Sequence, residues 1–299
     1  MHENKYIFRL LQFSTIFVFL GRAWQHFFFS GPYRELLWDE KRFAWVAKYI
    51  FGQKWSVWTT NLNVDRAVDV YNLLVSLMLL AGVIAVVFVA GKVKLLRFII
   101  KLCVFLLLIL ALVDWKDRFF NMGQLFEYTI QLSAPVFLLW WSSNKVKMPS
   151  FFLWLRIMIA FTFVSHGFYA IGFYPVPGIF SEMTMSILHL SEEGAISFLK
   201  IMGALDFIAA VFILTPFPRL IKIGLIYCAI WGILTALARP VAFYYQDFWL
   251  ESLHQWVYQA LFRMPHGILP IIALLMIRTE SWALILKWKI RAKETVKNG

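Results

Sequence analysis

The chain alternates between long apolar runs and short clusters of Lys, Arg, Asp, Pro and Trp. Several runs reach about 18 residues or more. At 1.5 Å per residue, that length crosses the roughly 30 Å hydrocarbon core of a bilayer as a helix. The pattern predicts eight such helices, over about 6–29, 69–90, 95–113, 124–141, 151–171, 197–215, 220–238 and 265–277. The last is short unless it begins before Pro265. Two Trp-rich outer segments follow a different rule. Lys41–Phe51 places Phe43, Val46, Ala47, Ile50 and Phe51 on one helical face, and Trp249, Leu250, Leu253, Trp256, Val257 and Ala260 do the same later. Charged and aromatic together, these read as amphipathic helices lying in the membrane interface. The loop over 172–196 contains no Lys or Arg.

Composition removes the soluble alternatives. Of 299 residues, 61% are hydrophobic and 15% charged, against about a quarter charged in ordinary globular domains. The net charge of +12 would suggest nucleic acid in a soluble protein, but here its placement matters more than its sum. With the N-terminus inside, inner segments hold 17 of the 29 basic residues and only the acids Glu3, Glu280 and Glu294. Lys and Arg concentrate in cytoplasmic loops, so both termini are expected in the cytoplasm of a bacterial inner-membrane protein, with the lipid bilayer as its partner and no nucleic acid. The first run lacks a small-residue cleavage site and reads as a retained helix. Cys103 and Cys228 lie inside apolar runs, which favours packing positions over a disulfide or thiolate site.

The pattern repeats itself. Phe17-Val18-Phe19-Leu20-Gly21-Arg22-Ala23-Trp24 is echoed by Phe161-Thr162-Phe163-Val164-Ser165-His166-Gly167-Phe168. Lys94 through Cys103 matches Arg219 through Cys228, and Gln131-Leu132-Ser133-Ala134-Pro135 parallels His266-Gly267-Ile268-Leu269-Pro270. The expected architecture is therefore all-α integral membrane. It comprises eight transmembrane helices as two parallel four-helix bundle repeats, 1–147 and 148–299, with interfacial helices in the outer loops.

The second half resembles the DoxX/DoxD-like family of four-helix membrane proteins. Ser165-His166-Gly167-Phe168, Gly203-Ala204-Leu205-Asp206, and the turn Pro216-Phe217-Pro218 carry the resemblance. Departures stand beside it: Asp206 replaces the family's usual Glu, Ala81 stands at the matching position of the first half, and Arg22-Ala23 replaces His-Gly there. The resemblance implies an association with quinone-coupled redox complexes and supplies no catalytic residue.

Polar side chains within apolar runs are the candidate chemistry, because an isolated charge at mid-membrane costs roughly 2.5–3.5 kcal/mol on insertion scales. Arg22 and His26 share a face of the first helix, His166 has the matching depth in the fifth, and Asp206 lies mid-way along the sixth. The simplest arrangement pairs Asp206 with Arg22 or His166. Glu127 and His266 project from helices, and with Asp114, Gln131, Arg239 and Arg263 they are expected near an outward polar mouth. For Asp114, Arg239 and Arg263, ordinary anchoring at helix ends is the favoured reading. No His-x-x-x-His or Cys-x-x-Cys spacing, phosphate loop or dinucleotide fingerprint occurs. The ligand-binding candidates are thus Arg22, His26, Glu127, His166, Asp206 and His266, with no residue assigned to catalysis. The leading expectation is a redox-associated subunit that binds a quinone or another hydrophobic ligand near the outer leaflet. A non-catalytic scaffold, docking complex subunits through its outer amphipathic segments, is the alternative, and a small-molecule transporter a third.

Overall fold

The computed structural model describes residues 2–89, 93–143 and 146–278. Lys92, Lys145, Trp282–Ile285 and the basic tail residues Lys287, Lys289, Arg291 and Lys293 lie outside the described residues. Every regular element among those described is helical. In order they are α1 (His2–Trp24), α2 (Tyr33–Leu37), α3 (Glu40–Tyr49), α4 (Trp55–Thr60), α5 (Leu62–Phe88), α6 (Lys94–Asp117), α7 (Met122–Trp141), α8 (Met148–Ala170), α9 (Gly178–Leu188), α10 (Glu192–Leu214), α11 (Pro218–Ala242), α12 (Trp249–Arg263) and α13 (Pro265–Arg278). A π-helical turn, Gln25–Phe29, closes α1.

Seven helical stretches among the described residues are long and apolar enough to cross a membrane. They are α1 with its π turn, α5, α6, α8, α10, α11, and the run Gln246–Ile277 that joins α12 to α13. The eighth expected span, α7, has 20 residues but is not among them; Glu127, Gln124 and Gln131 dilute its apolar character.

Boundaries shift outward from those expected, for local reasons. The α10 helix starts at Glu192 because Ser191 Oγ caps Gly194 N at 3.3 Å, with Glu192 and Glu193 in the first turn, where the helix dipole favours acids. The α11 helix runs four residues past Ala238, so Arg239 and Pro240 are helical. The short eighth helix is resolved too: α12 leads into α13 across the single residue Met264. The stretch over 172–196, expected as loop, contains the helix α9.

The core forms where α1, α7, α8 and α13 meet, around Leu11, Phe19, Leu138, Phe151, Phe163 and Leu269, all fully buried. Helices α5, α6, α10 and α11 flank it and turn Leu77, Ile84, Phe98, Phe105, Ile201, Val211 and Ile230 outward, the apolar exterior a bilayer requires. Small residues set the closest approaches, as membrane helix packing favours. A Cβ on Gly203 of α10 would lie 3.1 Å from the Gly167 carbonyl of α8, and one on Gly232 of α11 would strike the His266 carbonyl of α13. Cys103 and Cys228 are free and buried in this core.

Short helices α2, α3 and α4 cap the end of the first half. Trp38 Nε1 donates to Thr59 O at 3.1 Å and Trp58 Nε1 to Leu37 O at 3.0 Å, stitching the cap. Lys116 reaches Asp39 at 3.1 Å and Arg42 reaches it at 2.6 Å, holding that carboxyl below its usual range. The amphipathic face of α3 is realised in part: Ala47 is buried, while Ile50 and Phe51 are exposed. Along α12, Ser252, Tyr258, Ala260 and Phe262 are buried, and the helix packs against α1 and α11.

Candidate functional site

Two polar clusters sit at one end of the bundle, the end reached by the C-termini of α1, α8 and α11. The first belongs to α1. The guanidinium of Arg22, 4% exposed, donates through Nε and Nη2 to Gln131 Oε1 at 3.1 and 2.8 Å, and through Nη1 to Gln25 Oε1 at 2.6 Å. It lies 3.8 Å from the ring centre of Phe262 and 4.8 Å from that of Tyr128, whose hydroxyl donates to Asp114. Flat, weakly hydrated and ringed by acceptors and π faces, the guanidinium is well suited to burial. His26 follows on the π turn. Its Nδ1 meets the Arg22 carbonyl at 2.6 Å, and a carbonyl can only accept, so Nδ1 bears the proton. In the neutral ring Nε2 then accepts from Tyr33 OH at 2.8 Å. This cluster is internally satisfied, and it locks α1 to α7 and to the cap.

The second cluster is organised differently. Here α9, α10 and α11 enclose a pocket of about 420 Å³ with α7, α8 and the α12–α13 junction at its polar end. That volume lies within the range of small-molecule sites, roughly 300–1,000 Å³. Its walls follow helical periodicity: Phe180, Met183, Thr184, Ile187 and Leu188 from α9; Phe198, Leu199, Met202 and Asp206 from α10; Trp231, Leu234, Thr235 and Ala238 from α11. Ile187, Leu188, Leu234, Leu237 and Val241 line the pocket and are also exposed. The pocket therefore borders the apolar exterior along α9 and α11.

The polar end gathers Glu127, His166, Arg239, Arg263 and His266, while Asp206 lines the pocket from the α10 wall beside Tyr227. Glu127 and Arg263 form an ion pair at 3.6 Å. The rings of His166 and His266 stack with centroids 5.1 Å apart and planes 5° from parallel. His266 Nδ1 donates to Arg263 O at 2.7 Å, leaving Nε2 buried without a partner. Arg239 is 6% exposed, and its Nε is also buried without a partner. Among the described residues no carboxylate lies within 4 Å of the Arg239 guanidinium.

Four of the six candidates, Glu127, His166, Asp206 and His266, thus converge on one pocket, while Arg22 and His26 belong to the separate cluster. Two expectations are corrected. Asp206, 2% exposed, pairs with neither Arg22 nor His166; it accepts from Tyr227 OH at 2.8 Å, because Arg22 is engaged by Gln131 and Tyr227 faces α10 from α11. Arg239 and Arg263, read as interfacial anchors, instead line the pocket, since α11 and α12 extend past the positions at which they were expected to end or begin. The sequence reading missed Tyr227 and the whole α9 wall. The α9 residues Phe180, Met183, Thr184 and Ile187 have i, i+3, i+4, i+7 spacing that signals a helix. Among the described residues no group of three or more His, Cys, Asp or Glu is placed to hold a metal.

Comparison with protein-family models, with curated proteins and with solved structures returns no match.

Proposed function

We propose that this protein binds a hydrophobic molecule with a compact polar head, taken up laterally from the bilayer into the pocket between α9, α10 and α11. The observation that carries this reading is the division of the pocket. Its mouth and its walls, apart from Thr184, Thr235 and Asp206, are apolar, while its inner end presents buried Arg239 and His266 with atoms that no side chain satisfies. Unpartnered buried polar atoms are rare in native structures, and a ligand head supplies the missing partners.

In its narrower form, the protein is a redox-associated subunit and the molecule a quinone, whose carbonyl oxygen would accept from Arg239. The DoxX/DoxD-like resemblance of the second half supports that form. The proposal places the chain in a bacterial inner membrane with both termini cytoplasmic. It takes α7 as an eighth crossing, and 1–147 and 148–299 as two parallel repeats, the second of which holds the proposed site. In the first half, Arg22 with Gln25 and Gln131 satisfies its own polar groups.

The test is extraction and mass spectrometry of small molecules retained by the purified full-length protein. Wild-type protein is expected to retain one class of hydrophobic compound stoichiometrically, and Leu199→Trp, which fills the pocket, to lose it. Identical lipid profiles for the two proteins would refute the proposal.

A further inference from the structure

We propose that the head of this ligand is anionic and pairs with Arg239. The inference rests on the broader reading above, a hydrophobic molecule with a polar head in this pocket, replaces its quinone form, and adds the charge of what enters. Charges around the pocket are unequally matched. Arg263 already has Glu127 at 3.6 Å. Asp206 takes the Tyr227 hydroxyl and has no cation within 4 Å among the described residues. Arg239 is left as a guanidinium that is more than nine-tenths buried, lines an apolar pocket and has no carboxylate within 4 Å. Glu127 acts on it through space but is already paired with Arg263, so two guanidiniums share one carboxylate, and uncompensated buried charge is among the costliest arrangements in a membrane interior. Pairing with an anionic oxygen relieves it, and a guanidinium holds such a head in a two-pronged, directional way.

Geometry narrows the class further. The pocket's border along α9 and α11 carries exposed Ile187, Leu234 and Val241, so a tail can remain among the lipid chains while the head reaches inward. The shared chemistry is a carboxylate or a phosphate monoester on a long apolar chain. The stacked His166 and His266 rings close the end beyond the arginine, and His266 Nε2 offers an acceptor to a head that retains a proton.

The experiment uses the full-length protein in lipid nanodiscs and three photoreactive probes of equal chain length, carrying a carboxylate, a phosphate monoester or an alcohol. Labelled peptides are mapped. At least one anionic probe is expected to label α9–α11 peptides about tenfold more than the alcohol, and which one does so identifies the head. Arg239→Gln is expected to abolish that preference, and Arg239→Lys to retain part of it. Equal labelling of the pocket by all three probes in wild-type protein would overturn the anionic head while leaving the hydrophobic site standing. No labelling of the pocket by any probe would overturn both. The wild-type ratio decides the matter even if Arg239→Gln fails to fold.

Discussion

Gly232→Ala is the substitution whose cost the packing defines best. Gly232 sits where α11 crosses α13, and an added Cβ would strike the His266 carbonyl and lie 2.9 Å from Gly267 N. Both obstacles are backbone, so no rotamer change can make room. Restoring carbon contacts near 3.5 Å requires the helices to part by about 1 Å, and a gap of 0.5–1 Å forfeits a quarter to a half of each contact along the seam. Overpacking of this kind costs about 1–3 kcal/mol, and backbone obstacles place it near the upper end. Replacing glycine by alanine inside a helix returns about 1 kcal/mol. The expected net loss is therefore about 2 kcal/mol, read from equilibrium unfolding in mixed micelles. Gly178→Ala is the control: its Cβ would meet nothing nearer than Glu182 Oε1 at 4.0 Å, and its stability should stay within about 0.5 kcal/mol of wild type. A Gly232→Ala protein as stable as this control would refute the α11–α13 packing, and with it the placement of His266.

Other consequences are as specific. In a double-mutant cycle of Asp206→Asn and Tyr227→Phe, the coupling is expected at about 0.6 kcal/mol and no more than about 1.7, the range for hydrogen bonds between membrane helices; zero coupling would deny the pair. Arg22→Met strands the buried Gln131 Oε1 and should lower unfolding stability by about 1–3 kcal/mol. Arg34→Ala, by contrast, breaks half-exposed pairs with Asp65 and Asp69 and should cost under about 1 kcal/mol, less at high salt. For topology, Lys54→Cys and Asp247→Cys place thiols at exposed positions of one end and should react with an impermeant reagent from outside intact cells. Lys147→Cys, at the other end, should not, and the reverse result would invert the proposed orientation.

The transmembrane elements were legible because an 18-residue apolar run has few other ways to fold in lipid. What the sequence hid was which side chains meet. Arg239 follows an apolar run and precedes Pro240, so it resembles a terminal anchor; the continuation of α11 to Ala242 and the covering helices α9 and α12 bury it. Asp206 suggested a cationic partner on charge alone, yet the partner is a tyrosine whose orientation depends on the α10–α11 crossing. Arg22 and His166 match in sequence, but their environments differ through α7 and α13. Gln131 accepts from Arg22, whereas His266 at the parallel position stacks on His166. The sequence likeness pairs these positions, and only tertiary packing distinguishes the satisfied cluster from the open one.

The most direct test of the ligand site is an experimental density map of the full-length protein purified with its native lipids. The account predicts elongated non-protein density entering between α9 and α11, with its head within hydrogen-bonding distance of the Arg239 guanidinium. A pocket closed by its own side chains, or elongated density confined to the surface of α5 and α6, would contradict it.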